Sequence, residues 1–306
     1  MLKNLPKRIN KYYLKHEIAG RSLVTFFGFF LILLTFSLVF FIASKGLATF
    51  FQNHFSPIEF LFSTNWDPGR DYSEGGPAIG ALTFIIGSIS ISGLALIICS
   101  PFAIGASIFT AEISPKLGKK LLQPAIEIFV GIPSVVYGWV GLSVLVPFIK
   151  KIFGGFGFSL LAGALVLAVM IFPTIASLSV DTLRALPKDY KEASYALGAT
   201  RWQTIRKVLL PSAAPGILSA SVLGLARAFG EALAVQMVIG NAVSIPKSLI
   251  DPTINLTSII TMDMGNTVTG QAWNNALWSM ALLLLIISFI FIIIIRKIGN
   301  KGGVQQ

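Results

Sequence analysis

The chain has 306 residues, 54% hydrophobic and only 12% charged, with a formal net charge of +11. A soluble domain carries about 25% charged residues, whereas here the apolar residues come in long blocks, the mark of a bilayer protein. One cysteine, Cys99, excludes a disulfide framework, and His16 and His54 stand too far apart for metal-ligand spacing.

The first apolar block is 22–44, "SLVTFFGFFLILLTFSLVFFIAS", between Arg21 and Lys45. As a helix it would run about 34 Å at ~1.5 Å per residue, enough for a ~30 Å hydrocarbon core. It is too long for the apolar region of a signal peptide and follows twenty-one residues, so a retained span is expected. Five more spans are expected at about 78–100, 125–149, 157–179, 213–235 and 273–295. Pro101 should kink or end the second, and Gly131 with Pro133 should break the third. The fold class is therefore all-α, a polytopic membrane protein of six transmembrane helices. Both termini fall on one side.

Basic residues orient the bundle. Eighteen Lys and Arg lie in the N-terminal arm, the second loop (Lys116, Lys119, Lys120), the fourth loop (Arg184 to Lys207) and the tail. Five lie opposite, at Lys45, Arg70, Lys150, Lys151 and Lys247. The expectation is a cytoplasmic N- and C-terminus in a multi-pass protein of the bacterial inner membrane. The same distribution makes the net charge a membrane-surface feature, with no nucleic-acid partner. The outer segments 45–77 and 236–272 mix polar and apolar residues, which suits either partly ordered structure that touches something or plain connectors.

The loop 180–212 reads as helix, turn and helix. A helix should start after Pro187, Gly198 should permit a sharp turn, and a second helix from about Ala199 should stop at Pro211. Such an amphipathic pair at the membrane surface can dock into a groove of another protein.

In the fifth span, "GLARAFGEALAV" places Arg227 and Glu231 four residues apart, where helix geometry lets them pair. Ala220, Gly224 and Ala228 form a row of small residues for close helix approach. Arginine within a span costs about 2.5–3.5 kcal/mol on insertion scales. A structural ion pair is one reading. The other puts Arg227 on a substrate path, where its planar fork of donors suits oxyanions and never loses its proton. Glu231 would then hold Arg227 and keep the empty path near neutral. Glu127, one turn inside the third span, and Ser134, beside the "GIPS" break, are weaker candidates for a polar cavity.

No G-x-x-x-x-G-K-[ST] phosphate loop is present: Ile113 stands where "LGKK" at 117–120 would need its first glycine. No cofactor is implied, and no nucleophile and base suggest bond chemistry.

The spacing of Glu192, Ala193, Gly198, Val208, Leu210 and Pro211 resembles the Glu-Ala-Ala…Gly…Ile-x-Leu-Pro motif of permease subunits of binding-protein-dependent ABC importers. Ser194 and Val208 replace the second Ala and the Ile. "GIPSVVYGWVGLSVLVP" (131–147) and "ARAFGEALAVQMVIGN" (226–241) resemble phosphate-importer permeases of the PstC type, and the likeness covers roughly 75–296. The resemblance implies a type I ABC importer permease fold. It divides the chain into an N-terminal arm with the first span (1–45), an extracytoplasmic loop (46–77), a five-helix core (78–296) with a coupling helix at about 187–207, and a cytoplasmic tail (297–306).

Its implied partners are a PstA-like second permease, a PstB-like ATP-binding dimer holding the coupling helix in a cleft, a PstS-like phosphate-binding protein, and membrane lipid. It also implies that Arg227 and Glu231 serve phosphate passage and that ATP is hydrolysed on another chain. A permease for another oxyanion or small solute, an autonomous anion channel and a lipid-phosphate transferase are the competing readings.

Overall fold

The computed structural model describes residues 7–302. Met1–Pro6 of the N-terminal arm and residues 303–306 of the tail lie outside the described residues. Among the described residues six helices are long and apolar enough to cross a membrane: Gly20–Phe51, Leu82–Ile113, Ser134–Phe153, Leu160–Arg184, Arg201–Phe229 and Ala272–Ile294, called here the first to sixth spans, the third counted together with the helix Gln123–Gly131 that precedes it. All six expected spans form. Their ends shift for physical reasons.

The second span starts at Leu82 because Ala78–Ile79 pair antiparallel with Trp66–Asp67. Gly80 seats this stitch, since a Cβ there would collide with the carbonyl of Ser63. The helix runs through Pro101 to Ile108, so Pro101 does not end it. The third span is divided as expected. Gln123–Gly131 ends at Ile132 and Pro133, and Ser134–Val140 opens the second half. The hydroxyl of Tyr137 donates to the carbonyl of Phe129 at 2.7 Å, tying the halves together across the break.

The fourth span is the axis of the bundle. It packs along the second, and Ile91, Ala95, Cys99, Leu167, Ile171 and Ile175 share one core. The small-residue row of the fifth span faces it: Ala220, Gly224 and Ala228 are buried, and a Cβ on Gly224 would lie 2.6 Å from Ile175 Cγ1. Close approach of the two helices is what such a row permits. The first span instead lies at the edge, its apolar side chains exposed around the whole helix, and it touches the bundle mainly through the sixth. Ser279 Oγ donates to the Gly46 carbonyl at 2.6 Å there. A helix apolar all round and unburied by protein faces lipid.

The segment 236–272 is more than a connector. Val238 and Ile239 are fully buried in the main core, and Ile254, Leu256 and Ile259 form a second core with Phe84, Leu277 and Met280. A third core of Ile108, Leu183, Ile205, Leu209, Ala213 and Ile217 closes the opposite end, called here the basic end.

Candidate permeation site and docking surface

The fifth span does not continue to residue 235. Its helix stops at Phe229, and residues 230–232 are non-helical before the short helix Leu233–Gln236. Arg227 and Glu231 therefore do not share a helical face, and no ion pair joins them. The expected pairing is corrected. Arg227 Nη1 donates instead to Thr174 Oγ1 on the fourth span at 2.9 Å, and the arginine is exposed. Glu231 Oε1 accepts from the Ala234 N–H at 3.2 Å, and the Glu231 carbonyl accepts from the Thr257 hydroxyl at 2.8 Å. Glu231 thus caps the chain beyond the break. Backbone freed at membrane depth must find such partners inside the protein.

The breaks in the third and fifth spans meet. Ser134–Val140 packs on Leu233–Gln236, and a Cβ on Gly138 would lie 2.9 Å from Ala234 Cα. Ser134 is half-buried directly after its break. Arg227 and Thr174 join the fourth and fifth spans, and the meeting of the breaks sets the third span against both. Guanidinium carries five N–H donors. One bond to a neutral hydroxyl leaves donors and the full charge for an anion.

Glu127 lines a different pocket, of about 90 Å³, with Thr110, Gln123, Ser177, Asp181 and Arg184. Its carboxylate accepts from Gln123 Nε2 at 3.4 Å. Sequence reasoning missed Thr174, Ser177, Asp181 and Arg184. Their spacing on one side of the fourth-span helix was the available signal.

At the basic end the expected helix, turn and helix are present. Lys188–Ala196 follows Pro187, Gly198 takes φ +78°, and Thr200 and Gln203 form a reciprocal capping box for Arg201–Thr204. The second helix does not stop at Pro211. A π-turn at Ile205–Leu209 lets it run into Leu210–Phe229, because the wider turn accommodates a proline without an N–H.

The pair is clamped to the end of the second span. Lys191 Nζ lies 2.7 Å from Glu112 Oε1, a carboxylate only 8% exposed. Arg201 Nη2 donates to the carbonyls of Glu112 and, at 2.7 Å, Ile113. Ser194 and Thr204 share a buried hydroxyl contact of 2.9 Å. Glu192, Ala193 and Gly198 stay exposed, and Leu197, Tyr195 and Trp202 are 90%, 48% and 57% exposed. Leu210 is half-buried and Pro211 exposed at the root of the fifth span. An apolar tip on a rigid mount is suited to docking.

Residues 103–301 match the family described as "Binding-protein-dependent transport system inner membrane component". The probable ABC transporter permease protein YqgH of Bacillus subtilis (strain 168) is 53% identical over 289 residues, covering 94% of this chain and 92% of that protein. The phosphate transport system permease protein PstC of Haemophilus influenzae is 35% identical over 262 residues, covering 79% and 81%. That of Pasteurella multocida is 33% identical over 320 residues, covering 97% and 96%.

A bacterial alginate ABC transporter has the same fold, with a TM-score of 0.59 at 15% identity over 98% of both chains. The MetNI methionine ABC transporter, inward facing, gives 0.52 at 24% identity over 73% of this chain and 94% of that one. The chain belongs to the family of binding-protein-dependent transport system inner membrane components: it is a multi-pass permease subunit of an ABC importer, working with a second permease, ATP-binding subunits that carry out hydrolysis and a substrate-binding protein.

Proposed function

We propose that this chain is the PstC-like permease of an inorganic phosphate importer, with PstA-like, PstB-like and PstS-like partners. The observation that carries the reading is Arg227: an exposed guanidinium at membrane depth, positioned by a neutral hydroxyl rather than neutralised by a carboxylate. A permanent cation held by Thr174 can offer two parallel N–H groups to a tetrahedral oxyanion. The similarity to PstC proteins supports phosphate as that oxyanion.

In this reading the basic end is cytoplasmic, following the excess of Lys and Arg there. Residues 187–207, with Glu192, Ala193 and Gly198 at the exposed surface, dock on the ATP-binding subunit. Leu210 and Pro211 root that mount in the fifth span. ATP binding moves the pair, and the Lys191–Glu112 and Arg201 contacts carry the movement to the second span. The loaded binding protein biases the opposite end, so two global states are controlled from both sides. Ser134, directly after the break in the third span, lies along the route. Glu231 shapes the route by holding the break open.

The test is reconstitution of the chain with its ATP-binding subunits, second permease and binding protein in vesicles. ATP-driven uptake of labelled phosphate, with sulfate and molybdate left behind, is the expected result. Uptake of another oxyanion in preference would reassign the substrate within the family. Anion flux without nucleotide would make the chain a channel.

A further inference from the structure

The pocket that holds Glu127 stands apart from the Arg227 station. It lies between the inner ends of the second, third and fourth spans. Thr174, Ser177, Asp181 and Arg184 fall within about 80° of one another around the fourth span at ~3.6 residues per turn. They form a polar stripe about 15 Å long. It begins at the hydroxyl that binds Arg227 and ends in this pocket. The stripe covers about half of a ~30 Å hydrocarbon core.

The pocket is polar on all three sides. Gln123 and Glu127 come from the third span, Ser177, Asp181 and Arg184 from the fourth, and Thr110 from the second. Arg184 in the last turn complements the helix dipole by itself. That argument does not explain Asp181 or Ser177. Thr110 is 3% exposed, and its Oγ1 has no hydrogen-bond partner. A buried hydroxyl without a partner is costly, and this one lies behind the pocket wall. Among the described residues no ion pair ties Arg184 to either carboxylate. The volume of about 90 Å³ holds one small solute or a few waters, a water's share of the liquid being about 30 Å³.

We infer that this pocket is a second station on the route, binding a tetrahedral oxyanion that still carries a hydrogen. The inference rests on the phosphate reading above. Arg184, Ser177 and Gln123 supply donors to oxyanion oxygens. Glu127 and Asp181 bring carboxylate oxygens, which accept. Orthophosphate and arsenate at neutral pH keep hydrogens to donate to them. Sulfate has none, so the two carboxylates repel it. With two carboxylates against one guanidinium the station holds its anion weakly, as release into the cytoplasm requires.

The test uses the assembled, nucleotide-free complex with Cys99→Ser and Ser177→Cys, labelled by a small anionic methanethiosulfonate reagent. Sodium phosphate, arsenate or sulfate is added at matched ionic strength and neutral pH. Gln123→Cys on the facing wall is the second reporter, should the first disturb assembly. Phosphate and arsenate should slow labelling several-fold while sulfate leaves it unchanged. In the Glu127→Gln/Asp181→Asn background, where the amides add donors and remove the repulsion, sulfate should protect as well as phosphate. Equal protection by sulfate in the unmodified pocket, or none by phosphate, overturns the inference. A complex that imports phosphate yet shows no protection loses this station alone. One that shows protection yet moves no phosphate on ATP loses the importer reading and keeps the pocket.

Discussion

The helical pair at 188–204 and the break at 230–232 are both departures from a plain apolar span, and they are held in opposite ways. The pair is built from neighbours in sequence: a proline start, a left-handed glycine and a capping box within four residues. It is then fixed by charge, through Lys191 and Arg201, to the second span. The break depends on distant partners. Thr257, 26 residues away, donates its hydroxyl to the Glu231 carbonyl, and the third span makes room at Gly138. Arg227 beside it has a single neutral partner. A part that transmits force is over-determined, whereas a part that meets a solute keeps its strongest donor available.

The comparison breaks most severely at Gly198. Proline there would lock φ near −65° (roughly) against the observed +78°. It would also remove the N–H that donates to the Tyr195 carbonyl at 2.9 Å. Gly198→Pro should insert in the membrane yet fail to co-purify with the ATP-binding subunit, as a pull-down reads directly. Gly198→Ala should cost about 1–2 kcal/mol of backbone strain and weaken that association without abolishing it.

A smaller effect is expected at the clamp. Lys191→Ala leaves the Glu112 carboxylate buried without its partner, a cost of about 1–3 kcal/mol. The melting temperature of the purified complex should fall, and the exchanged pair Lys191→Glu/Glu112→Lys should recover most of it. At the break, Glu231→Ala removes the acceptor of the Ala234 N–H, worth about 1 kcal/mol for a lost cap. Glu231→Gln keeps an acceptor and should preserve uptake better than Glu231→Ala. Equal loss in both would restore a charge role for Glu231.

The mildest test concerns the turn 247–251. The Ser248 hydroxyl, then the Lys247 and Ser248 N–H groups, hold the Asp251 carboxyl below its ordinary value. A lowered folded-state value stabilises above the unfolded value, and the gain is lost as pH falls through the folded one. Amide protection at Lys247 and Ser248, corrected for intrinsic exchange, should hold near neutrality and fall in acid. In Asp251→Asn it should not depend on acid in this way.

The six spans, the small-residue row and the helical pair were legible because hydropathy, spacing and capping chemistry are local. The break of the third span was legible at Gly131 and Pro133 for the same reason. The end of the fifth helix was not. "FGEALAV" has good helix formers, and the distant hydroxyl of Thr257 and the packing at Gly138 help make the interruption stable. The spacing of Arg227 and Glu231 was read correctly, but a pairing inferred from helical spacing fails when the helix stops between the two residues. Burial of Val238 and Ile239 in the main core was equally hidden, since a segment between spans reads as a surface loop.

The most direct measurement is ATP-driven phosphate uptake by the reconstituted complex carrying Arg227→Ala, with ATP hydrolysis followed in the same vesicles. The account predicts that uptake disappears while the assembled complex continues to hydrolyse ATP. Uptake at the wild-type rate would contradict it.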